Sequence, residues 1–177
     1  MHRLFVAIRP PRSIRTSLLS IMEGVEGARW QDDDQLHLTL RYIGRVDSRM
    51  AEDIAVMLGS ISTARFDLSL SGVGTFAHRG RIDTLWAGVT PHAPLVQLHR
   101  KIDHLVANIS GEAEHRAYQP HITIARFGRV QQGIAAFIVN HAGLASAPFA
   151  ITEFGLFESH IESSGARYEA IATYPLR

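Results

Sequence analysis

Two stretches of this sequence, 84 positions apart, repeat one pattern of polar and apolar residues. The first, LHLTLRYIG, carries His37 and Thr39, and the second, YQPHITIARFG, carries His121 and Thr123. In a β-strand, residues two apart project from the same face, so each histidine shares a face with its threonine. The opposite face is formed by apolar residues, which are Leu38, Leu40, Ile122 and Ile124. The pattern predicts two strands, each with an apolar back turned to the core and a polar front.

The duplication of this motif is unlikely to be a coincidence of composition. The chain has ten histidines in 177 residues. Given its threonine content, roughly 0.1 His-x-Thr motifs with apolar residues at the other two positions are expected by chance. One such motif alone would mean little, but two are improbable, at somewhat under about one in a hundred. We therefore predict that His37 and His121 act together.

The remaining sequence alternates between short apolar runs and amphipathic segments. Apolar runs predict strands at 4–8, 37–43, from 66, at 84–89, from 121, and at 149–159 and 167–176. Apolar residues at three- and four-residue intervals predict helices at 12–23, 48–58, 94–109 and 134–140. The segments 29–35 and 77–83 are polar and are predicted to be loops, and GVGTF at 72–76 is predicted to be a turn.

The second half of the chain repeats the first half in the order of its predicted elements. No linker rich in proline, glycine or serine separates the halves. The sequence therefore predicts an α+β fold in which residues 1–177 form a single domain of two related lobes.

Composition narrows the class of protein. The chain is 46% hydrophobic, has a net charge of +1 and has no cysteine, which excludes disulfides and thiolate chemistry. Such a small charge excludes coating of nucleic acid by bulk electrostatics, so any phosphate binding must be local. The N-terminal apolar run, LFVAI, is too short for a signal sequence or a membrane span, and we expect a cytoplasmic protein without membrane contact.

Displacement at phosphorus is the chemistry that suits a duplicated histidine motif. The attacking and leaving oxygens lie in line on opposite sides of phosphorus, so an acid and a base are needed on opposite flanks. Histidine can act as either near neutral pH. The hydroxyls of Thr39 and Thr123 can donate to non-bridging phosphate oxygens. The other eight histidines have no metal-ligand spacing, so neither a metal nor a cofactor is expected.

The motifs HLTL and HITI, with RLFVAI, GVGTF, LWAGV, PHITIAR and YEAIATYPL, give the chain a family resemblance. It resembles the RNA 2′,3′-cyclic phosphodiesterases, or 2′-5′ RNA ligase family, of the 2H phosphoesterase superfamily. The resemblance implies a bilobal α+β fold with both motifs in a central cleft between two pseudo-symmetric lobes of antiparallel sheet. It also implies hydrolysis of RNA or nucleotide 2′,3′-cyclic phosphate ends to 2′-phosphates, with His37 as proton donor and His121 as acceptor. A monomer is expected.

Four further residues are candidate substrate contacts. Arg126 follows the second motif but lies an odd number of positions from His121, so it reaches the cleft only if the strand ends or bulges near Ala125. Arg41 shares the face of His37 by parity, although a solvent-facing role is as plausible. Phe5 and Phe76 are candidates for stacking on a base, against the alternative that they belong to the core.

Two other functions remain open at this stage. Reversible joining of RNA ends through a 2′-5′ linkage would use the same cleft, because a 2′-hydroxyl can take part in the reverse step in place of water. A nucleotide- or RNA-binding module that has kept the His-Thr cleft without turnover is the alternative from another class. The sequence does not separate these from hydrolysis.

Overall fold

The computed structural model describes residues 1–177 and contains nine strands and four helices. The strands are β1 His2–Ile8, β2 Glu26–Trp30, β3 Leu38–Val46, β4 Phe66–His78, β5 Arg81–Thr90, β6 Ile122–Gln132, β7 Phe149–Ile151, β8 Glu153–Glu162 and β9 Gly165–Pro175. The helices are α1 Arg12–Leu19, α2 Ser48–Leu58, α3 Ala93–Ser110 and α4 Ile134–His141. The predicted α+β class is confirmed. No helix is both long enough and apolar enough to cross a membrane.

All strand pairs are antiparallel, and the sheet order is β7-β4-β5-β6-β3-β1-β8-β9, with β2 paired to β6 beyond Ile122, on the edge that β3 contacts. The two halves of the chain exchange strands. The β4–β5 hairpin belongs mainly to the first half, but β5 pairs with β6 of the second half, and β8 comes from the second half but pairs with β1 of the first. Each lobe of sheet is therefore built from both halves of the sequence.

The two lobes meet between β3 and β6, where a single residue pair, Leu38 with Ile122, joins the strands. Both side chains are buried, at 1% and 0% exposure, in one apolar core to which all four helices contribute. The predicted apolar backs of the two motif strands thus lie in the core. Their polar fronts face away from it.

The sequence-based boundaries were wrong in three places where glycines or polar residues were interpreted as a turn or a loop. The segment 72–76 is not a turn, because β4 runs through it and pairs with β5 on both sides of a bulge. The polar segment 77–83 is mostly strand, and only Arg79 and Gly80 form the hairpin turn. The segment 29–35 begins inside β2, a strand that the sequence did not predict.

Smaller differences concern the ends of elements. Helix α1 ends at Leu19, four residues before the predicted end at 23. Strand β3 continues past Gly44 to Val46, because a register shift accommodates that glycine at φ +89° within the β1–β3 ladder.

Side chains take the place of backbone pairing on one side of the bridge between the lobes. The Tyr118 hydroxyl donates to the backbone oxygen of Thr39 at 3.0 Å, and His99 Nδ1 donates to that of Leu40 at 2.6 Å. The two rings stack at 4.2 Å with an interplanar angle of 8°. Since His99 lies on α3 and Tyr118 precedes β6, both bonds tie the second half of the chain to β3.

A buried ion pair holds the chain that leads to the second motif. Arg41 is 8% exposed, and its Nε donates to Asp103 Oδ1 at 2.7 Å. The same carboxylate oxygen accepts the Glu114 backbone N–H at 3.0 Å, and Arg41 Nη2 donates to the Glu112 backbone oxygen at 2.9 Å. The pair therefore anchors the segment between α3 and β6.

We expect Asp103→Ala to lower the free energy of unfolding by about 1.5–3 kcal/mol, because it removes the charge-assisted hydrogen bond of the buried Arg41 guanidinium, whose remaining carboxylate partner, Glu114, lies 3.7 Å away. Urea denaturation of both proteins measures this change. The matched control is Asp53→Ala, since Asp53 is exposed on α2 and an exposed substitution usually changes stability by less than about 0.5 kcal/mol. A loss below about 1 kcal/mol for Asp103→Ala would show that the ion pair does not anchor this segment.

Candidate active site

The His-x-Thr motifs flank the single residue pair that joins the two lobes. Because this pair is antiparallel, the next positions on one side bring His37 toward Thr123, and those on the other side bring Thr39 toward His121. This register puts the four positions at the corners of a rectangle, with the two histidines diagonally opposite each other. This arrangement places two imidazoles on opposite flanks of one small area.

Each imidazole is fixed by the same backbone hydrogen bond. His37 Nδ1 donates to the backbone oxygen of Gln35 at 2.6 Å, and His121 Nδ1 donates to that of Gln119 at 2.7 Å. A carbonyl oxygen only accepts, so Nδ1 must carry the proton in both rings. The Nε2 atom of each histidine has no partner within the protein and is left to exchange protons with a ligand.

Aromatic rings enclose His37. The Phe5 ring lies 5.0 Å from the imidazole, and the Tyr168 ring meets it edge-on at 5.1 Å. Phe5 also stacks on Phe157 at 5.4 Å and is only 5% exposed. The structure thus places Phe5 beside the catalytic candidate as a packing partner, with little of its face open to a base.

A second aromatic wall encloses His121. The Phe76 ring meets the imidazole edge-on at 4.7 Å, and Trp86 lies 6.3 Å away. Gly74 makes this wall possible, because a Cβ at that position would lie 2.3 Å from the Trp86 ring. The glycine that suggested a turn therefore permits close packing inside a strand.

Burial lowers the pKa of both histidines. For His37 the pKa falls from 6.5 to about 4, and the positive charge of Arg126, with that of His121 when it is protonated, acts in the same direction. For His121 burial also lowers the pKa, with a further contribution from Arg126. The hydrogen bonds to the two backbone oxygens oppose these shifts. Both rings are therefore neutral at pH 7 in the free protein.

The two threonines are available for hydrogen bonding. Thr39 and Thr123 are half-buried, and neither hydroxyl has a hydrogen-bond partner in the protein. Thr39 lines the cleft cavity, whereas Thr123 pairs with Trp86 across the β5–β6 ladder and is not among the residues that line this cavity. The two threonines are therefore alike in having free hydroxyls, but only Thr39 borders the cavity.

Arg126 reaches the cleft because β6 bulges. Leu85 pairs with Ala125, but the next residue of β5, Trp86, pairs with Thr123, so one residue of β6 is skipped. This irregularity is the condition under which the sequence allowed Arg126 to face His121. Arg126 lines the cavity and has no ion-pair partner, and its charge lowers the pKa of both histidines.

The expected parity of Arg41 with His37 is wrong. Between Thr39 and Arg41 the β1–β3 register shifts by one residue, so that consecutive residues of β1, Ala7 and Val6, pair with positions two apart on β3. The shift directs the guanidinium to Asp103 on α3, as described above. Arg41 is neither a solvent-facing residue nor a free phosphate contact, although part of it borders the cavity.

A cavity of about 930 Å³ occupies the cleft and is lined by both histidines and Arg126. Its size fits a ligand of nucleotide dimensions or larger. No three His, Cys, Asp or Glu side chains of the chain come together in a group that could hold a metal ion.

Several residues of this site were not predicted from the sequence. Tyr168, Tyr118, Trp86 and His99 all lie in or against the cleft. Three of them looked like ordinary strand or helix residues, and Tyr118 like part of the polar segment before the second motif strand. A signal for the backbone anchors was present, because both motifs read Gln-x-His-x-Thr with the glutamine two positions before the histidine.

Comparison with known proteins agrees with this fold. A family model described as the 2′-5′ RNA ligase superfamily matches residues 10–160, and the chain belongs to this superfamily. An RNA 2′,3′-cyclic phosphodiesterase of Archaeoglobus fulgidus is 25% identical over 97% of this chain and 99% of that protein. The Escherichia coli protein of the same name is 28% identical, over 99% and 97%. One from Geobacillus stearothermophilus is 28% identical over 83% of this chain, which spans only 47% of that relative.

Solved structures show the same architecture. E. coli LigT in its apo form is 26% identical, with a TM-score of 0.79 over 99% of this chain and 97% of that chain. E. coli LigT complexed with 3′-AMP is 25% identical, with a TM-score of 0.80 over 99% and 98%. The predicted family and its bilobal fold are confirmed.

The lowered pKa of His37 predicts a pH-dependent stability. Its pKa is about 4 in the folded protein and about 6.5 when unfolded, so the unfolded chain binds the proton first. The contribution of neutral His37 to the free energy of unfolding is fully present above about pH 6.5. It is lost as pH falls toward 4, by at most about 3 kcal/mol. Urea denaturation at pH 7.5 and pH 4 should show a smaller pH-induced loss in His37→Gln than in the wild type.

The control for this measurement is His115→Gln, since His115 is exposed and makes no side-chain hydrogen bond. Its pH-induced loss of stability should equal that of the wild type. An unchanged loss in His37→Gln would contradict the burial of a neutral imidazole at position 37.

Proposed function

We propose that this chain is a metal-independent phosphodiesterase that opens 2′,3′-cyclic phosphate ends of RNA to 2′-phosphates. The observation that carries the proposal is the pair of imidazoles on opposite corners of the lobe junction, each with Nδ1 held by a backbone oxygen. In-line displacement at phosphorus needs this disposition of acid and base. The names of the curated relatives point to the same substrate.

Arg126 and the two threonines are proposed to hold the phosphate. Arg126 is a cation without an internal partner whose field reaches both histidines, so a phosphate bound beside it lies within range of both rings. The free hydroxyls of Thr39 and Thr123 can donate to its non-bridging oxygens. Together these groups would fix phosphorus between the two Nε2 atoms.

The reaction follows from this placement. The oxygen of water bonds to phosphorus as the bond from phosphorus to O3′ breaks. Neutral His121 takes a proton from the water through Nε2, and protonated His37 gives its proton to O3′. The products are a 2′-phosphate and a free 3′-hydroxyl.

The assignment of His37 as the acid requires the substrate to change its protonation. The pKa of His37 in the free protein, about 4, leaves the ring neutral near pH 7. An anionic phosphate in the cleft favours the charged imidazolium and raises the pKa of both rings. His37 is enclosed more completely, so a proton placed there is given up readily to the leaving oxygen. The rate should be bell-shaped in pH.

The aromatic residues are proposed to position the rings and to contact the base without selecting it. Phe5 packs inward against His37, while the half-buried Phe76 and Tyr168 border the cavity. Stacking is tolerant of sequence because every base has an aromatic face. We therefore expect selectivity among bases to stay below a few tens of fold.

Residues 1–177 are proposed to act as one domain. The pairing of β5 with β6 and of β8 with β1 means that neither half of the chain contains a complete lobe. The catalytic histidines then come from two lobes that depend on each other for folding.

Hydrolysis is tested with an oligonucleotide that ends in a 2′,3′-cyclic phosphate, incubated with the protein in excess chelator. Phosphorus NMR distinguishes the 2′-phosphate from the 3′-phosphate. Appearance of the 2′-phosphate supports the proposal, and binding without turnover from pH 5 to 9 would favour the non-catalytic alternative. Adding an oligonucleotide with a 5′-hydroxyl tests the 2′-5′ joining direction, which the family name also suggests.

The division of labour between the histidines predicts a leaving-group effect. His37→Ala and His121→Ala should each lower the rate on the cyclic phosphate by about 10²–10⁴-fold, and the double variant by much less than the product. A 3′-deoxynucleoside 2′-(p-nitrophenyl phosphate) releases p-nitrophenolate without protonation. On this substrate, followed by absorbance, His37→Ala should recover most of its activity and His121→Ala should stay impaired.

Thr39→Ala is the matched variant, because it removes a hydrogen bond to phosphate and leaves both proton transfers in place. It should be impaired by the same smaller factor on both substrates. Recovery of His121→Ala instead of His37→Ala would mean that the two roles are reversed.

A further inference from the structure

A row of cleft-facing side chains crosses three neighbouring strands beside the active site. Thr84 on β5 pairs with Arg126 on β6, and Arg126 pairs with Arg29 on β2. Residues directly opposite in an antiparallel ladder project from the same face of the sheet. Since Arg126 and Thr84 line the cavity, Arg29 lies on the face that contains the cleft.

The neighbours of Arg29 confirm its direction. Ala28 and Trp30 pack against the core, and the Trp30 ring lies 5.9 Å from the Phe137 ring on α4. Because side chains alternate along a strand, Arg29 must point to the opposite face. It is exposed and lies beyond the residues that line the nucleotide-sized cavity.

No salt bridge offsets the repulsion between the paired residues Arg29 and Arg126. Like charges directly opposite each other on a sheet destabilise the pairing. Neither guanidinium has an ion-pair partner, whereas other arginines of the chain do have one, namely Arg9, Arg15, Arg41, Arg116 and Arg167. Two unpaired cations at a strand spacing of about 4.8 Å concentrate positive charge beside the cleft.

We propose that Arg29 binds a phosphodiester of the RNA chain upstream of the terminal cyclic phosphate that Arg126 holds. This inference rests on the proposed function. It adds that the preferred substrate is an RNA oligonucleotide and not a free cyclic nucleotide. The terminal nucleotide occupies the cavity, and the chain leaves along β2. The arginine pair, and not the net charge of +1, supplies the attraction for the RNA backbone.

The kinetic test compares cytidine 2′,3′-cyclic phosphate with a hexanucleotide that ends in the same group. Arg29→Ala should lower kcat/KM for the hexanucleotide about tenfold and leave the mononucleotide within about twofold, because only the longer substrate reaches Arg29. Arg126→Ala should impair both substrates. Arg100→Ala, an exposed arginine on α3, is the control and should impair neither.

Binding separates this inference from the proposed hydrolysis. The probe is a 5′-fluorescein hexanucleotide with a terminal 2′-phosphate, titrated by anisotropy at several salt concentrations. Arg29→Ala should reduce the slope of log K against log salt by about 0.7, the value for one phosphate of a single strand. Arg29→Lys should keep most of the wild-type slope.

Each outcome decides one of the two proposals. Equal losses for mononucleotide and hexanucleotide would overturn the upstream site and place Arg29 at the terminal phosphate. An unchanged salt slope in Arg29→Ala, with the wild-type fold shown by circular dichroism, would also overturn it. Binding that depends on Arg29, in a wild-type protein without turnover, would support the RNA site while contradicting hydrolysis.

Discussion

The single antiparallel pair between Leu38 and Ile122 is the constraint on which the rest of the structure depends. A longer ladder between β3 and β6 would merge the lobes into one continuous sheet without a cleft. With no pair, only the side-chain bonds of Tyr118 and His99 to the backbone of β3 would relate one motif to the other. One pair fixes the register and lets the strands separate, so that each histidine faces the threonine of the other motif.

Other groups of the site fix the tautomer and the protonation state of the two histidines. The bonds from both Nδ1 atoms to backbone oxygens select one tautomer, and the aromatic walls exclude water and lower the pKa of both rings. Because both imidazoles are neutral and Arg126 is charged, the cleft has a net positive field. The Nε2 atoms of the two histidines bond to no other group of the protein. An anionic phosphate is the ligand that such a cleft stabilises best.

The sequence predicted the parts of this protein that repeat a local pattern. The two motif strands, the helix faces and the α+β class follow from alternation and from three- and four-residue spacing, because those signals lie within a few neighbouring residues. The position of Arg126 was predicted only conditionally. The bulge depends on how β5 pairs with β6, and no residue near Ala125 predicts it.

Features that depend on distant partners were not predictable in the same way. The bulge that turns Arg41 away from the cleft is set by pairing with β1, and Gly74 is explained only by the Trp86 ring packed over it. Strand β2 is short and polar, and it exists because β6 provides an edge for it. The role proposed for Arg29 depends on that pairing.

The state of the two imidazoles is the most direct test of this account. Nitrogen-15 NMR of histidine-labelled protein reports the tautomer and the pKa of each ring directly. We predict that His37 and His121 are both neutral Nδ1–H tautomers at pH 7, with pKa values below 6.5 that rise when a nucleoside 2′-phosphate binds. An Nε2–H tautomer in either ring, or pKa values that the ligand leaves unchanged, would contradict a two-histidine site built around phosphate.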